Sequence, residues 1–349
     1  MDFDLDEDQS LFKAAVERFG AGQDVAARLR TRRLPGGMDR ARWRELAELG
    51  LIGLAAGVAD GGLAGSAVDC AVVAQALGRA QAVEPWLECG FLPARLLAGT
   101  PHMAGIIDGS LLATLAFAEA GGRYTLDART VKARAQGDGF VLSGEKRFVL
   151  SGAAADLFVV TARLGDATQL FAVARDTPGV EVKPYPVADG SIAAVLILHD
   201  AASAAPIGDA VRLDTAVAAA RLMAAAEMAG LARRLFDDTL AYVKTREQFG
   251  QPLGRFQVIQ HRMVDCYARC EAIESALLRA LLMPGASTAA AKAFIGETAL
   301  WVGEQAVQLH GGMGTTDELG IGHGLKRILL LSKLFGDPAS GLTTLAEAA

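Results

Sequence analysis

Two stretches, TREQFGQPLGRFQVIQHRMVD (Thr245–Asp265) and QLHGGMGTTDELGIGHGLKR (Gln308–Arg327), punctuate the last third of a chain of 349 residues. Ahead of the first, Leu213–Thr245 carries apolar residues spaced by three and four, the period of one face of a helix. Phe256–Met283 and Ala289–Leu309 repeat that period, Gly311–Gly314 breaks it, and Leu325–Phe335 resumes it. In the plainest reading Arg246 is a cation closing a helix, and Gly311-Gly312 is a helix stop. Helices this long need partners for their apolar faces, so the last third is expected to be a bundle.

Outward from there the period changes. Phe140–Leu142, Lys146–Leu150, Leu157–Ala162, Gln169–Ala174 and Ala193–His199 are short strand-like runs separated by Gly, Asp or Pro. Asp138-Gly139, preceded by Gly137, reads as a hairpin turn between Val131–Ala135 and Phe140–Ser143. Such strands suggest a barrel or sandwich. The first third is helical again, at Asp6–Phe19, Arg40–Leu49 and Ser66–Arg79, interrupted by the Gly-rich GLIGLAAGVADGGLAG at Gly50–Gly65. That stretch lacks GxGxxG spacing and does not link a strand to a helix, so it is not read as a phosphate loop. The expected class is α+β: helices at 1–111, a β segment at 112–205 and a helical bundle at 206–349.

Composition bounds what such a chain does. Apolar residues make up 52 % and charged residues 21 %, enough for a large core and against disorder. The net charge of −6, from 34 Lys plus Arg and 40 Asp plus Glu, argues against a nucleic-acid partner. The most apolar run, Leu213–Leu231, is broken by Asp214, Arg221 and Glu227, so no membrane crossing is expected. An acidic start, MDFDLDEDQ, is unlike a secretory signal, and a cytoplasmic location is expected. Cys266 and Cys270 lie four apart with no second pair at ligand spacing, so Cys70, Cys89, Cys266 and Cys270 read as buried thiols and no metal site is expected.

Taken together, Thr245–Asp265, Gln308–Arg327, the DGG turn at Asp60–Gly62 and SGEKRFVLSG at Ser143–Gly152 resemble the signature regions of the acyl-CoA dehydrogenase family. The three-part layout resembles that family over essentially the whole chain. The resemblance implies an N-terminal helical domain, a middle β domain, a C-terminal four-helix bundle, and FAD as cofactor. It implies that Arg246 contacts the FAD pyrophosphate, where a guanidinium makes bidentate charge-assisted bonds. Gln248, Phe249 and Gln308 would serve the adenosine end, and Gly311 and Gly312 would let backbone approach closely. In the family these motifs hold the ADP end of a neighbouring subunit's FAD, so the resemblance implies an oligomer.

The reaction implied is α,β-dehydrogenation of an acyl-CoA thioester: a Glu removes the α proton while the β hydrogen leaves as hydride to the flavin. Two positions usually carry that Glu. In this chain they fall on Gly336, with Arg327 matched to the motif Arg, and on Ala220, which precedes Arg221. Asp337 is a weak substitute, better suited to a turn with Pro338. Glu227 sits roughly 240° around the helix from Arg221. Asp317 and Glu318 read as capping acids. The hydroxyl residues that usually face the flavin ring are also replaced, by Ala118 and Gly121-Gly122 in LAFAEAGGRY and by Phe148-Val149-Leu150 in the following strand.

The motifs that would serve a neighbour are thus intact, and the residues that would run chemistry on the chain's own flavin are gone. That pattern resembles the small, base-lacking subunit of heteromeric bacterial acyl-CoA dehydrogenases of fatty-acid or steroid catabolism, such as the pimeloyl-CoA or steroid side-chain types. The expected partners are an acyl-CoA substrate, a larger acyl-CoA dehydrogenase subunit in a heterotetramer or a second copy in a dimer or tetramer, and electron-transfer flavoprotein. Two alternatives stay open. One is a self-sufficient homo-oligomer with a relocated base; the other is a flavin monooxygenase or oxidase on the same fold. His261 and His310 read as structural or as approaching the cofactor, His323 is given no role, Trp301 reads as interface or core packing, and Arg123 is a weak candidate for a CoA phosphate.

Overall fold

A computed structural model describes residues 4–348. Met1–Phe3, at the start of the acidic opening, lie outside the described residues. Helices occupy α1 (Glu7–Gly20), α2 (Val25–Arg32), α3 (Arg40–Glu48), α4 (Ala67–Ala80), α5 (Leu92–Leu96) and α6 (Met103–Ile107). Strands β1 (Ala113–Ala116), β2 (Lys132–Gln136), β3 (Gly139–Val149), β4 (Leu157–Leu164), β5 (Ala167–Ala174), β6 (Val180–Pro186), β7 (Ile192–Ser203) and β8 (Gly208–Asp209) follow. The long helix α7 (Ala210–Thr245) leads to a small hairpin of β9 (Glu247–Gln248) and β10 (Gln251–Pro252). Helices α8 (Gln257–Leu282), α9 (Thr288–His310), α10 (Gly320–Lys333) and α11 (Pro338–Ala348) complete the chain. Helix plus sheet, helical at both ends with strands between, is the expected class.

Two compact units share these elements: Leu29–Ser66 with Val83–Ala220, and Met1–Arg28 with Ala67–Ala82 and Arg221–Ala349. The first holds the sheet. Its strands run β6-β7-β3-β2-β4-β5-β8, with β1 parallel to β4. The hairpin between β2 and β3 pairs Gln136 with Gly139, so its two turn residues are Gly137 and Asp138, one position earlier than the sequence suggested. Gly137, at φ +59°, supplies the left-handed conformation the turn requires. Phe140–Leu142 and Lys146–Leu150, which read as two runs, belong to one strand, bent where its register against β7 slips at Leu142–Gly144 and again at Lys146–Val149. Phe158, Phe171, Leu142, Leu196 and Val160, all fully or almost fully buried, belong to one hydrophobic core formed by these strands.

An ion pair is buried within that core. Lys146 Nζ lies 2.6 Å from Glu119 Oε1, 2.7 Å from Thr161 Oγ1 and 3.2 Å from Phe117 O. Glu119 in turn accepts from the amides of Arg129, Thr130 and Val131 and from the Thr130 hydroxyl. One carboxylate therefore ties both feet of the loop between β1 and β2 to the middle of β3. Burial works to raise the Glu119 pKa, but the Lys146 ammonium and the Thr130 donors outweigh it and hold it down to about 2.

In the second unit α4 and α7 meet backbone to backbone. A Cβ on Gly78 would overlap the Glu227 carbonyl, and one on Gly230 the Gln75 carbonyl. Glu227 points to Arg327 on α10, with Nε 2.7 Å and Nη2 3.2 Å from its two oxygens. By length and composition α7 is apolar enough to cross a membrane, contrary to the reading of Leu213–Leu231, but 78 % of its most apolar window is buried inside the protein.

Removing one partner of the β-unit pair leaves a buried charge, so Lys146→Met is expected to cost about 3–5 kcal/mol in chemical denaturation. Because the folded Glu119 titrates at about 2 against 4.5 when free, its contribution is complete above about pH 4.5 and disappears as pH falls towards 2. Glu119→Gln should flatten that part of an acid-unfolding curve.

Candidate functional site

Where α7 ends at Thr245 the chain turns back on itself. Gln248 pairs with Gln251 and Glu247 with Pro252, and the two residues between, Phe249 and Gly250, have φ +53° and +77°. Positive φ at both central positions is the type I′ turn, where Asn-Gly is the favoured pair. A phenylalanine there costs roughly 1–2 kcal/mol, yet its ring is 91 % exposed and touches Phe256 only edge-on at 6.2 Å. An aromatic held in a costly conformation with its faces bare is presented for stacking. The Arg246 amide donates to Tyr242 O and its carbonyl accepts from Leu253 N, each at 2.8 Å, which fixes the backbone and leaves the side chain exposed.

The second motif lies at the end of α9. Gly311, at φ +61°, stops the helix, and nothing within 4 Å would meet a Cβ at Gly311 or Gly312. Both glycines are exposed, although the Gly311 amide donates to Gln308 O and the Gly312 carbonyl accepts from Thr315 Oγ1; Gln308, one turn earlier, is exposed as well. His310 joins the two motifs: its ring stacks on Tyr242 with centroids 4.2 Å apart. Nδ1 lies 2.8 Å from Ala306 O, so Nδ1 carries the proton and donates. His310 is therefore the bracket between the α7 and α9 ends, the structural role expected of it. Trp301 is likewise covered, by the Arg269 guanidinium 4.1 Å from its ring centroid.

Arg246, Gln248, Phe249, Gln308, Gly311 and Gly312 thus lie in one compact unit, all exposed, on two chain ends braced against each other. A guanidinium, an exposed aromatic, two carboxamides and glycines that let a ligand approach closely suit a pyrophosphate joined to a nucleoside. Among the described residues no group of three or more His, Cys, Asp or Glu is placed to hold a metal ion.

The β unit offers a flavin ring much less. Ala118, Gly121, Gly122, Phe148, Val149 and Leu150 have no side-chain donors, and the neighbouring hydroxyls are engaged with protein. Thr114 Oγ1 donates to Leu150 O at 2.8 Å, Thr161 takes Lys146, and Ser151 is buried with its hydroxyl on Cys89. The residues present fit the ADP end of FAD and not its ring.

Neither usual base position holds an acid. Ala220 is fully buried, and Gly336 has φ +121°. Asp337 spends its carboxylate on the N-terminus of α11, accepting from Ser340 N at 2.8 Å. Glu227 is taken by Arg327, and Asp317 lies 3.8 Å from both His323 Nε2 and Lys326 Nζ. One residue beside Gly336 escaped the sequence reading. Lys292 of α9 is 3 % exposed, and its Nζ reaches Ser332 O at 3.0 Å and Gly336 O at 2.7 Å. Its signal in the sequence is faint: a lone lysine in the apolar run AAAKAF.

Comparison with known proteins follows this geometry. Three family models match along the chain: acyl-CoA dehydrogenase N-terminal domain at residues 6–92, middle domain at 114–194 and C-terminal domain at 211–349. Acyl-CoA dehydrogenase IpdE2 of Mycolicibacterium smegmatis is 30 % identical over 95 % of this chain and 94 % of its own length. Probable acyl-CoA dehydrogenase YngJ of Bacillus subtilis is 28 % identical over 96 % and 94 %. Among solved structures, the Tcur3481-Tcur3483 steroid acyl-CoA dehydrogenase G363A variant superposes with a TM-score of 0.87 at 29 % identity, covering 98 % of this chain and 96 % of that one.

Arg246→Ala should weaken flavin retention by about 1.5–3 kcal/mol, the worth of a hydrogen bond to a charged group. That is roughly ten- to a hundredfold, read as flavin absorbance per oligomer after gel filtration. Phe249→Asn relieves the turn strain and removes the ring, so it should leave the melting temperature equal or higher while flavin retention falls.

Proposed function

The chain belongs to the acyl-CoA dehydrogenase family, and from that premise we propose that it works as the base-lacking subunit that completes the FAD site of a larger family member. Proteins of this family are FAD-dependent oxidoreductases acting on CH–CH bonds. FAD, when bound, supplies the electron acceptor for that oxidation. The division of residues within this chain carries the reading. Everything suited to the ADP end of a dinucleotide is exposed and braced, whereas the base positions are Ala220 and Gly336 and the ring positions have lost their donors.

In this role Arg246 holds the neighbour's pyrophosphate, Gly311-Gly312 let the cofactor approach the backbone closely, and Phe249 with Gln248 and Gln308 holds its adenosine. The partner brings the carboxylate that takes the α proton of the acyl-CoA. Electron-transfer flavoprotein is the acceptor that fits this family role. Two similar structures are named as pairs of chains, Tcur3481-Tcur3483 and the ChsE4-ChsE5 complex of Mycobacterium tuberculosis. Their names lend support to a heteromer and to steroid-derived acyl-CoA as a substrate class. The relocated-base alternative loses its best candidate, because Asp337 is committed to capping α11.

Purification with and without a family member that retains the Glu tests the proposal. The chain alone is expected to be colourless and inactive, and the co-expressed pair yellow and able to reduce an electron acceptor with acyl-CoA. A single chain that carries stoichiometric flavin and turns over acyl-CoA would sink it.

A further inference from the structure

The turn between α10 and α11 sets one strained residue beside a glycine in a conformation other residues avoid. Phe335 is buried and sits at φ +59°, a conformation rare for a bulky side chain, and Gly336 follows at φ +121°, open to glycine almost alone. Such conformations persist only where the surroundings over-determine them. Here the carbonyls of both residues are gripped by cations from other helices. Arg221 Nε of α7 donates to Phe335 O at 2.9 Å, and Lys292 Nζ of α9 donates to Gly336 O at 2.7 Å and to Ser332 O at 3.0 Å. Ser332 lies in the last turn of α10, where carbonyls have no partner within the helix. On the far side, Asp337 anchors the start of α11 through Ser340.

We propose that Lys292, with Arg221, is a positioning residue that clamps the Phe335–Gly336 turn in a backbone conformation closed to any side chain at 336. The loss of the base is then built into the turn, and no single substitution at 336 reinstates it. A Cβ at Gly336 would meet Ser340 Oγ at 2.9 Å, besides adopting a φ that L-residues avoid. The inference deepens the base-lacking reading of this chain, but the clamp stands on its own geometry.

The clamp has a pH signature. Burial, reinforced by Arg221, draws the Lys292 pKa down to about 7, while Asp337 pulls it up and Lys333 pushes it down. These are the charged groups that face it from α7, α11 and α10. A neutral amine still has two hydrogens, enough for both carbonyls. The folded lysine sheds its proton near pH 7, whereas the unfolded one keeps it to about 10.5. The unfolded state therefore binds more protons over that interval, and this group adds stability as pH rises from about 7 to about 10.

Amide hydrogen exchange and thermal unfolding of the full chain, with its partner if one is needed for solubility, test the clamp. Lys292→Met should raise exchange at residues 334–341 by about tenfold or more relative to α1 and α4, and should reduce the gain in melting temperature between pH 7 and 10, leaving the part contributed by Lys146, which burial draws down to about 8. Gly336→Ala and Gly336→Glu should both melt below the wild type. Unchanged exchange in Lys292→Met, or a Gly336→Glu chain as stable as wild type, overturns the clamp and leaves the subunit proposal untouched. A wild-type chain active alone overturns the subunit proposal, while the exchange data still decide the clamp.

Discussion

How closely other helices can approach α7 sets the rest of the helical unit. Its middle is nearly all small: Ala224, Ala225, Ala226, Ala229, Gly230 and Ala232 are buried. At Gly230 and, facing it, Gly78 of α4, even one methyl group would overlap the opposite backbone. Larger side chains would push α4 away and forfeit the dispersion contacts of a packed interior. The alanine content that lifts the mean hydropathy to +0.28 thus has a packing purpose. It allows one helix of 36 residues to be closely covered by its neighbours.

Because α7 is fixed along its length, the residues at stations on it are fixed too. Arg221 reaches the α10–α11 turn, Glu227 holds Arg327 of α10, and Tyr242 stacks on His310 at the end of α9. Immediately beyond lies the β9–β10 hairpin. An exposed two-residue turn on so short a ribbon is poorly determined by itself. The stack of Tyr242 on His310, the Arg246–Tyr242 backbone bond and the Leu253–Arg246 bond transmit the order of the bundle to Phe249 and Arg246. An anion-binding group gains affinity when its position is already paid for by the fold, since less freedom is lost on binding.

Much of this was legible in the residues. Helical period marked α1, α3, α4 and α7–α9 to within a few positions and α10 five residues late, missing α11, while short runs bounded by Gly, Asp or Pro marked most strands. The groups named at 246–249 and 308–312 came from the resemblance to the family; read locally, Arg246 and Gly311-Gly312 said only that two helices end, and the residues so named are exposed. What stayed hidden depends on tertiary context. The I′ turn at Phe249-Gly250 goes against local preference, so no turn rule announces it. The bend in β3 comes from its pairing with β7, not from its own sequence. Lys146 and Lys292 are charges inside apolar runs, and a sequence cannot say whether such a lysine snorkels outward or is buried on carbonyls and carboxylates. The Glu119–Lys146 pair is distant in the chain, and nothing short of the sheet brings it together.

Two kinds of strain now separate the two ends of the helical unit. At the hairpin, strain exposes a ring: Phe249 occupies a glycine-like conformation and its face is left bare. At the α10–α11 turn, strain hides everything: Phe335 is buried, Gly336 has no side chain, and the two carbonyls are turned onto buried cations. Phe249 and Phe335 are two of several non-glycine residues held at positive φ, and relaxing either would return about 1–3 kcal/mol. The hairpin thus leaves an aromatic exposed, whereas the α10–α11 turn, its carbonyls held by Arg221 and Lys292, admits only glycine at 336 without strain; on the proposed reading the missing base follows from that backbone.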